Sequence, residues 1–248
     1  MTIWITGEII NNIHWTNELF SLTVRAPIEP FIAGQFTKIK LTINGRNIQR
    51  PYSYLNSPTS KNLIFYLVTV PKGKLTHTLY KLQTGDTIKL TKQSYGNFVI
   101  NKIPQCENLW MIATGTGIAP YLSILTHGKG LEKFTNIILI YAVRFSKHLH
   151  YTNIINQLKI KYQNKLTTQT ILSQEKSPDT LTGHVQELIA NGELEKKIGL
   201  QLKNKNSHIM LCGNPNMIYE TQTLLKEYYN MNHHSNTHPG HITTERYW

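Results

Sequence analysis

The chain has 248 residues and a formal net charge of +12, with 26 Lys and Arg against 14 Asp and Glu. That length suits two domains of moderate size; no stretch approaches a membrane span, and Met1 to Ile10 has neither the basic start nor the apolar core of a secretion signal. The cysteines, Cys106 and Cys212, form no C-x-x-C or zinc-spaced pattern, and the lysines form no dense stripe interleaved with aromatics, so the expected setting is cytoplasmic and nucleic acid is disfavoured against an acidic protein partner or a merely solvated basic surface.

The first hundred residues are strand-rich. Trp4 to Ile10, Leu19 to Ala26 and Gln35 to Ile43 are β-branched and aromatic runs broken by turn signals. Asn44-Gly45 predicts a hairpin into Asn47 to Gln49. Further runs follow at Pro51 to Leu55, Leu63 to Val70 and Thr87 to Leu90, the last preceded by a turn at Gly85-Asp86. Leu75, Leu79 and Leu82 have the spacing of a short inserted helix. About six strands with one helix predict a small antiparallel barrel over residues 1–100.

A linker at Asn101 to Asn108, containing Pro104, opens the second domain, 101–248. Strands are expected at Leu109–Ala113, Ile137–Ala142, Leu166–Leu172 and Ser207–Cys212. Helices are expected at Tyr121–His127, Asn153–Tyr162, Val185–Ala190 and Met217–Tyr229. That alternation predicts a parallel sheet with helices on both faces. Asn230 to Trp248 reads as a polar, His-rich tail; among its histidines at 233, 234, 238 and 241 there is no acidic or thiol co-ligand, so no metal is expected.

Three stretches carry possible chemistry. Between the first parallel strand and its helix, Gly115-Thr116-Gly117-Ile118-Ala119-Pro120 is a glycine turn that lets backbone approach an anion, although it lacks the third glycine of the dinucleotide fingerprint. Arg50-Pro51-Tyr52-Ser53 combines a guanidinium for a phosphate, a ring for stacking and a hydroxyl for a heterocycle; an ordinary barrel strand would also explain it. Val143 and Arg144 stand at a strand's carboxyl end, where such sheets bind nucleotides, and Arg144 falls where NAD-type folds carry an acid.

Taken together with Cys212-Gly213-Asn214-Pro215-Asn216 and the terminal Glu245-Arg246-Tyr247-Trp248, these motifs occur in the order found in ferredoxin/flavodoxin–NADP reductases of the bacterial type, which the whole chain resembles. The resemblance implies an FAD-binding six-stranded barrel followed by a parallel-sheet domain that takes NADP(H) as substrate. It implies an enzyme passing electrons between NADPH and flavodoxin or ferredoxin, acting as a monomer. Arg50, Pro51, Tyr52 and Ser53, the backbone of Leu67, Val68 and Thr69, and the helix start Lys74, Leu75 and Thr76 are then expected at FAD. Thr116 is expected to line the cofactor cleft and Trp248 to cover part of FAD. Val143, Arg144, Ser173, Gln174, His184, Asn214, Pro215 and Asn216 are expected at the nucleotide. Ser53, Cys212 and Glu245 are expected nearest the reacting rings, with Cys212 packing against the nicotinamide. The relatives carry arginines at the positions matching Gln174 and His184, so a reduced margin of NADPH over NADH is expected. The alternatives are an NADH-preferring flavin or cytochrome reductase of the same fold, a basic nucleic-acid-binding protein, and an interaction module without flavin.

Overall fold

The computed structural model describes residues 2–235 and 237–247. The chain forms two compact units, one of residues 1–100 with 119–128, the other of 101–118 with 129–248.

The first unit is a six-stranded antiparallel sheet built from β1 (Trp4–His14), β2 (Leu19–Arg25), β3 (Phe36–Ile43), β4 (Arg46–Ser53), β5 (Leu63–Val68) and β6 (Thr87–Thr91), in the order β4-β3-β6-β1-β2-β5. Just past β4, the Leu55 N–H donates to the Ile64 carbonyl of β5 at 2.8 Å and so links the two edges. The hairpin between β3 and β4 forms as predicted, with Asn44 and Gly45 both at positive φ (50° and 73°), the conformation a two-residue turn demands of twisted strands. The runs expected separately at 47–49 and from Pro51 are one strand. Pro51 is tolerated because β4 is an edge, where its missing N–H breaks no ladder on the open side.

Ile9, Phe20, Leu22, Val24, Ile39, Phe65, Leu67, Ile88 and Leu90 alternate inward along these strands to form the barrel core. Helix α1 (Lys74–Lys81) inserts Leu75 and Leu79 into it. The Asn12 amide fastens the other end of α1, donating to the carbonyls of Tyr80 at 3.1 Å and Leu82 at 2.8 Å. Helix α2 (Ala119–His127) belongs to this unit although a strand of the other unit precedes it. Its residues Ala119 through Leu125 are all buried; the Ser123 hydroxyl donates to the Asn56 carbonyl at 2.7 Å, and Tyr121 lies 5.5 Å from the Phe98 ring.

The second unit is a wholly parallel sheet of β7 (Asn108–Thr114), β8 (Asn136–Val143), β9 (Leu166–Leu172), β10 (Leu181–Thr182), β11 (Ser207–Gly213) and β12 (Ile242–Arg246). The order is β10-β9-β8-β7-β11-β12, so the winding reverses between β7 and β11. Every residue of β7 except Thr114 and every residue of β11 is buried, which is the near-continuous apolar signature of a strand covered on both faces. Helices α3 (Thr152–Tyr162), α4 (Val185–Ala190), α5 (Glu193–Ile198) and α6 (Pro215–Tyr229) connect the strands.

The tail expected at 230–248 is instead structured over much of its length. Asn230 ends α6 in the left-handed conformation, and β12 lies parallel beside β11, the His241 carbonyl accepting the Ile209 N–H at 2.8 Å. Ile242, Thr243 and Thr244 are β-branched, but five residues with a single fully apolar position give too little alternation to reveal a strand. Within the loop, His234 accepts the Gly240 N–H and His241 accepts the Asn232 N–H, each through Nδ1. Among the described residues no three His, Cys, Asp or Glu side chains converge to hold a metal ion, and no helix is long and apolar enough to cross a membrane.

Candidate functional site

In the first unit the expected FAD residues fall on two pieces of backbone, the end of β4 and the run from the end of β5 into α1. Arg50, Pro51 and Tyr52 lie on the free edge of β4. Arg50 is exposed, its guanidinium donating to the Gln49 carbonyl at 2.8 Å, and Ser53 is buried opposite Phe36. Burial pushes the Tyr52 phenol well up, against the pull of the Arg50 cation, so this ring is neutral and suited to stacking. Leu67 and Val68 end β5, and Thr69 continues its line by donating its N–H to the Glu18 carbonyl at 2.8 Å.

The chain then turns through Lys72, at φ +63°, into α1. The Thr76 hydroxyl organises that turn: it accepts the Val70 N–H at 3.1 Å and donates to the Gly73 carbonyl at 3.2 Å. A Cβ on Gly73 would lie 2.9 Å from the Val70 carbonyl oxygen, so the close turn needs glycine. The first turn of α1 contains no acidic residue and begins with the exposed Lys74, leaving a positively biased end suited to a pyrophosphate.

In the second unit the expected nucleotide residues gather at the carboxyl ends of the parallel strands. At the winding reversal, the turn after β7 and the turn after β11 meet backbone to backbone. A Cβ on Gly117 would lie 2.6 Å from the Cys212 carbonyl oxygen, and one on Gly213, at φ +125°, would collide with the Thr114 hydroxyl. That hydroxyl accepts the Asn214 N–H at 2.8 Å. Sequence reading passed over Thr114; its signal is a hydroxyl residue ending an otherwise apolar strand directly before glycine. Residues 115–118 form a single 3-10 turn in which Thr116 is buried, while a Cβ on Gly115, at φ +54°, would meet nothing within 4 Å. The backbone there is open to a ligand. The Asn214 side chain caps α6 by accepting the Asn216 N–H at 2.8 Å, and Pro215 occupies the first turn, where a missing N–H costs nothing.

Cys212 is fully buried between Ala113 of β7 and Glu245 of β12. Burial, reinforced by the Glu245 carboxylate, pushes its thiol well above the ordinary range. The neutral thiol is no nucleophile at neutral pH. Glu245 is half-buried within a strand, not a free tail residue, and the Tyr247 N–H donates to the Gly213 carbonyl at 3.1 Å. Trp248 lies outside the described residues.

Farther along the same rim, Val143 ends β8 and is followed by the exposed Arg144. Ser173 and the exposed Gln174 follow β9, their N–H groups donating to the Val143 and Arg144 carbonyls at 3.0 Å each. His184, also exposed, starts α4, where the Glu187 carboxylate accepts its N–H.

An antiparallel barrel with a phosphate-suited helix start, joined in one chain to a parallel sheet with a glycine turn at its winding reversal, defines a two-domain flavin- and nicotinamide-dependent oxidoreductase. Comparison with known sequences agrees: the oxidoreductase FAD-binding domain matches residues 9–100 and the oxidoreductase NAD-binding domain matches residues 111–223. The chain is 49% identical over 248 residues to the flavodoxin/ferredoxin–NADP reductase of Escherichia coli (strain K12), and 51% identical over 249 residues to that of Buchnera aphidicola subsp. Baizongia pistaciae, with 100% of each chain covered in both cases. It is also similar to the structure of a ferredoxin NADP+ reductase from Neisseria gonorrhoeae with bound FAD and NADP, at 28% identity and a TM-score of 0.91 over 99% of both chains. The chain belongs to the flavodoxin/ferredoxin–NADP reductase family.

Proposed function

We propose that the protein is a cytoplasmic, monomeric reductase that passes electrons between NADPH and an acidic carrier, flavodoxin or ferredoxin. The single observation that carries this reading is the paired-loop arrangement at the winding reversal, where the turns at 115–118 and 213–216 approach so closely that only glycine fits at 117 and 213. Open sheets bind nucleotides at such points.

Bound FAD supplies the redox chemistry, taking a hydride from the nicotinamide and releasing electrons one at a time. The protein binds and orients. Arg50 and the α1 start, Lys74 to Thr76, hold the FAD phosphates; Tyr52, Ser53 and the Leu67–Thr69 backbone hold the flavin. Thr116, Asn214, Pro215 and Asn216 position the nicotinamide half of the nucleotide, Cys212 offers it a neutral apolar surface, and Glu245 presents a carboxylate beside that surface. Val143, Arg144, Ser173, Gln174 and His184 receive the adenosine half.

A second reading, an NADH-preferring reductase, draws support from Gln174, an exposed residue without charge in the turn that follows β9. The deciding experiment is spectroscopic and kinetic. Purified protein should carry near-stoichiometric flavin, and NADPH should reduce it with a higher kcat/KM than NADH. Colourless protein that binds no added FAD overturns the function; a preference for NADH overturns only the nucleotide assignment.

A further inference from the structure

We propose that Glu175 is a positioning residue whose carboxylate, held by Ser146, braces the two loops that present Arg144 and Gln174 to the 2′-phosphate of NADPH. The proposal rests on the reading that the ends of β8 and β9 receive the adenosine half of the nucleotide.

The ladder between β8 and β9 runs two residues past the strands, through the Ser173 and Gln174 N–H groups, and then the segments part. One turns through a 3-10 segment, Ser146–His148; the other enters the loop that ends at β10. At the parting point the Glu175 carboxylate spans the gap. Its Oε2 accepts the Ser146 N–H at 2.8 Å, and its Oε1 accepts the Ser146 hydroxyl at 2.9 Å. Gln174 immediately precedes Glu175 and Arg144 stands two residues before Ser146, so the brace fixes the spacing from which both side chains reach. The two bonds from Ser146 hold the carboxyl below the usual glutamate range, the backbone N–H contributing most and Lys147 adding a smaller attraction.

A carboxylate beside a phosphate would otherwise be repulsive. Glu175 therefore acts in two opposed ways: the brace favours phosphate binding and the charge opposes it. Isosteric substitution separates them. Glu175→Gln keeps both bonds, the amide oxygen accepting from the Ser146 N–H and the amide nitrogen donating to its hydroxyl, and removes the charge. Glu175→Ala removes both, and Ser146→Ala removes the hydroxyl bond alone.

The test is calorimetric titration of the holoenzyme with 2′,5′-ADP and with 5′-AMP, joined to steady-state kinetics with NADPH and NADH. For Glu175→Ala the dissociation constant for 2′,5′-ADP should rise roughly fivefold, the scale of one ordinary hydrogen bond's net contribution. Glu175→Gln should match or improve on wild type, and Ser146→Ala should fall between. Binding of 5′-AMP, kcat, and the KM for NADH should stay level throughout, while the KM for NADPH follows 2′,5′-ADP. If Glu175→Ala binds 2′,5′-ADP as tightly as Glu175→Gln does, only charge matters and the brace is refuted. If Arg144→Ala leaves 2′,5′-ADP binding unchanged, the reading of the rim fails and takes the brace with it. Weakened binding in Arg144→Ala with normal binding in Glu175→Ala refutes the brace alone.

Discussion

His208 is an imidazole built into a sheet. It is buried in β11, with Nε2 at 2.9 Å from the Thr243 hydroxyl of β12 and the His234 ring edge-on at 5.6 Å. Burial, with smaller contributions from His234, His241 and Lys133, pushes its pKa down to about 3. In the unfolded chain it titrates near its ordinary value of about 6.5. The unfolded state therefore takes up a proton below about pH 6.5 that the folded state refuses until about pH 3, and the associated stability, complete above 6.5, declines as pH falls through that window. The slope is at most about 1.4 kcal/mol per pH unit, or about 2 kcal/mol between pH 6.5 and 5. Urea denaturation at pH 7.5, 6 and 5 should show this loss in wild type and a shallower one in His208→Gln.

Gln174 poses the same question of charge at the nucleotide rim. Glutamine donates hydrogen bonds without charge, and charge-assisted bonds are the stronger kind. Gln174→Arg should therefore lower the KM for NADPH severalfold, on the order of 1 kcal/mol, and leave that for NADH nearly unchanged. An equal change for both nucleotides would move the 2′-phosphate away from residue 174.

At the scale of elements, the meeting of the β7 and β11 turns is the most demanding feature of the second unit. Gly117 faces backbone, not a flexible side chain, so Gly117→Ala must displace the Cys212 peptide. It should cost about 1–3 kcal/mol, the range for overpacking, and weaken NADPH binding more than flavin binding. Comparing thermal denaturation with nucleotide titration of the same variant checks both halves of that expectation. The sequence showed this junction only in part. Two glycines between an apolar run and a helix are legible because they punctuate a period; contact with a turn a hundred residues away is not a local property. The same contrast holds elsewhere. Asn44-Gly45 disclosed its hairpin through conformational preference alone, and Leu75 with Leu79 disclosed α1 through spacing. By contrast, β10 has two residues and β12 has one apolar position, so both exist only because a neighbouring strand offers its edge. The brace at Glu175 lay hidden for a related reason, since Ser146 is 29 residues away along the chain.

For the whole molecule, the charge of +12 matters through its reach. Ion pairs among the described residues include Arg25–Glu8 at 2.8 Å and Lys92–Glu29 at 3.7 Å. An acidic carrier should consequently associate faster at low ionic strength, with a rate falling steeply between 0.01 and 0.15 M salt, over which the screening length shrinks from about 30 to 8 Å. Stopped-flow reduction of the carrier should show that fall, and reduction of a neutral dye should not.

The burial of α2 among barrel residues has a consequence for recombination. A hybrid made by joining residues 1–100 of this protein to the remainder of a relative would import a foreign helix where Ser123 meets the Asn56 carbonyl and Tyr121 meets Phe98. The natural exchange module is discontinuous, and segment 119–128 must travel with the barrel. Hybrids that restore those ten native residues should melt at higher temperature than hybrids spliced once at residue 100, from otherwise identical parents. In this chain the seam at which two ancestries can be stitched is three breakpoints, one after residue 100 and two flanking one helix.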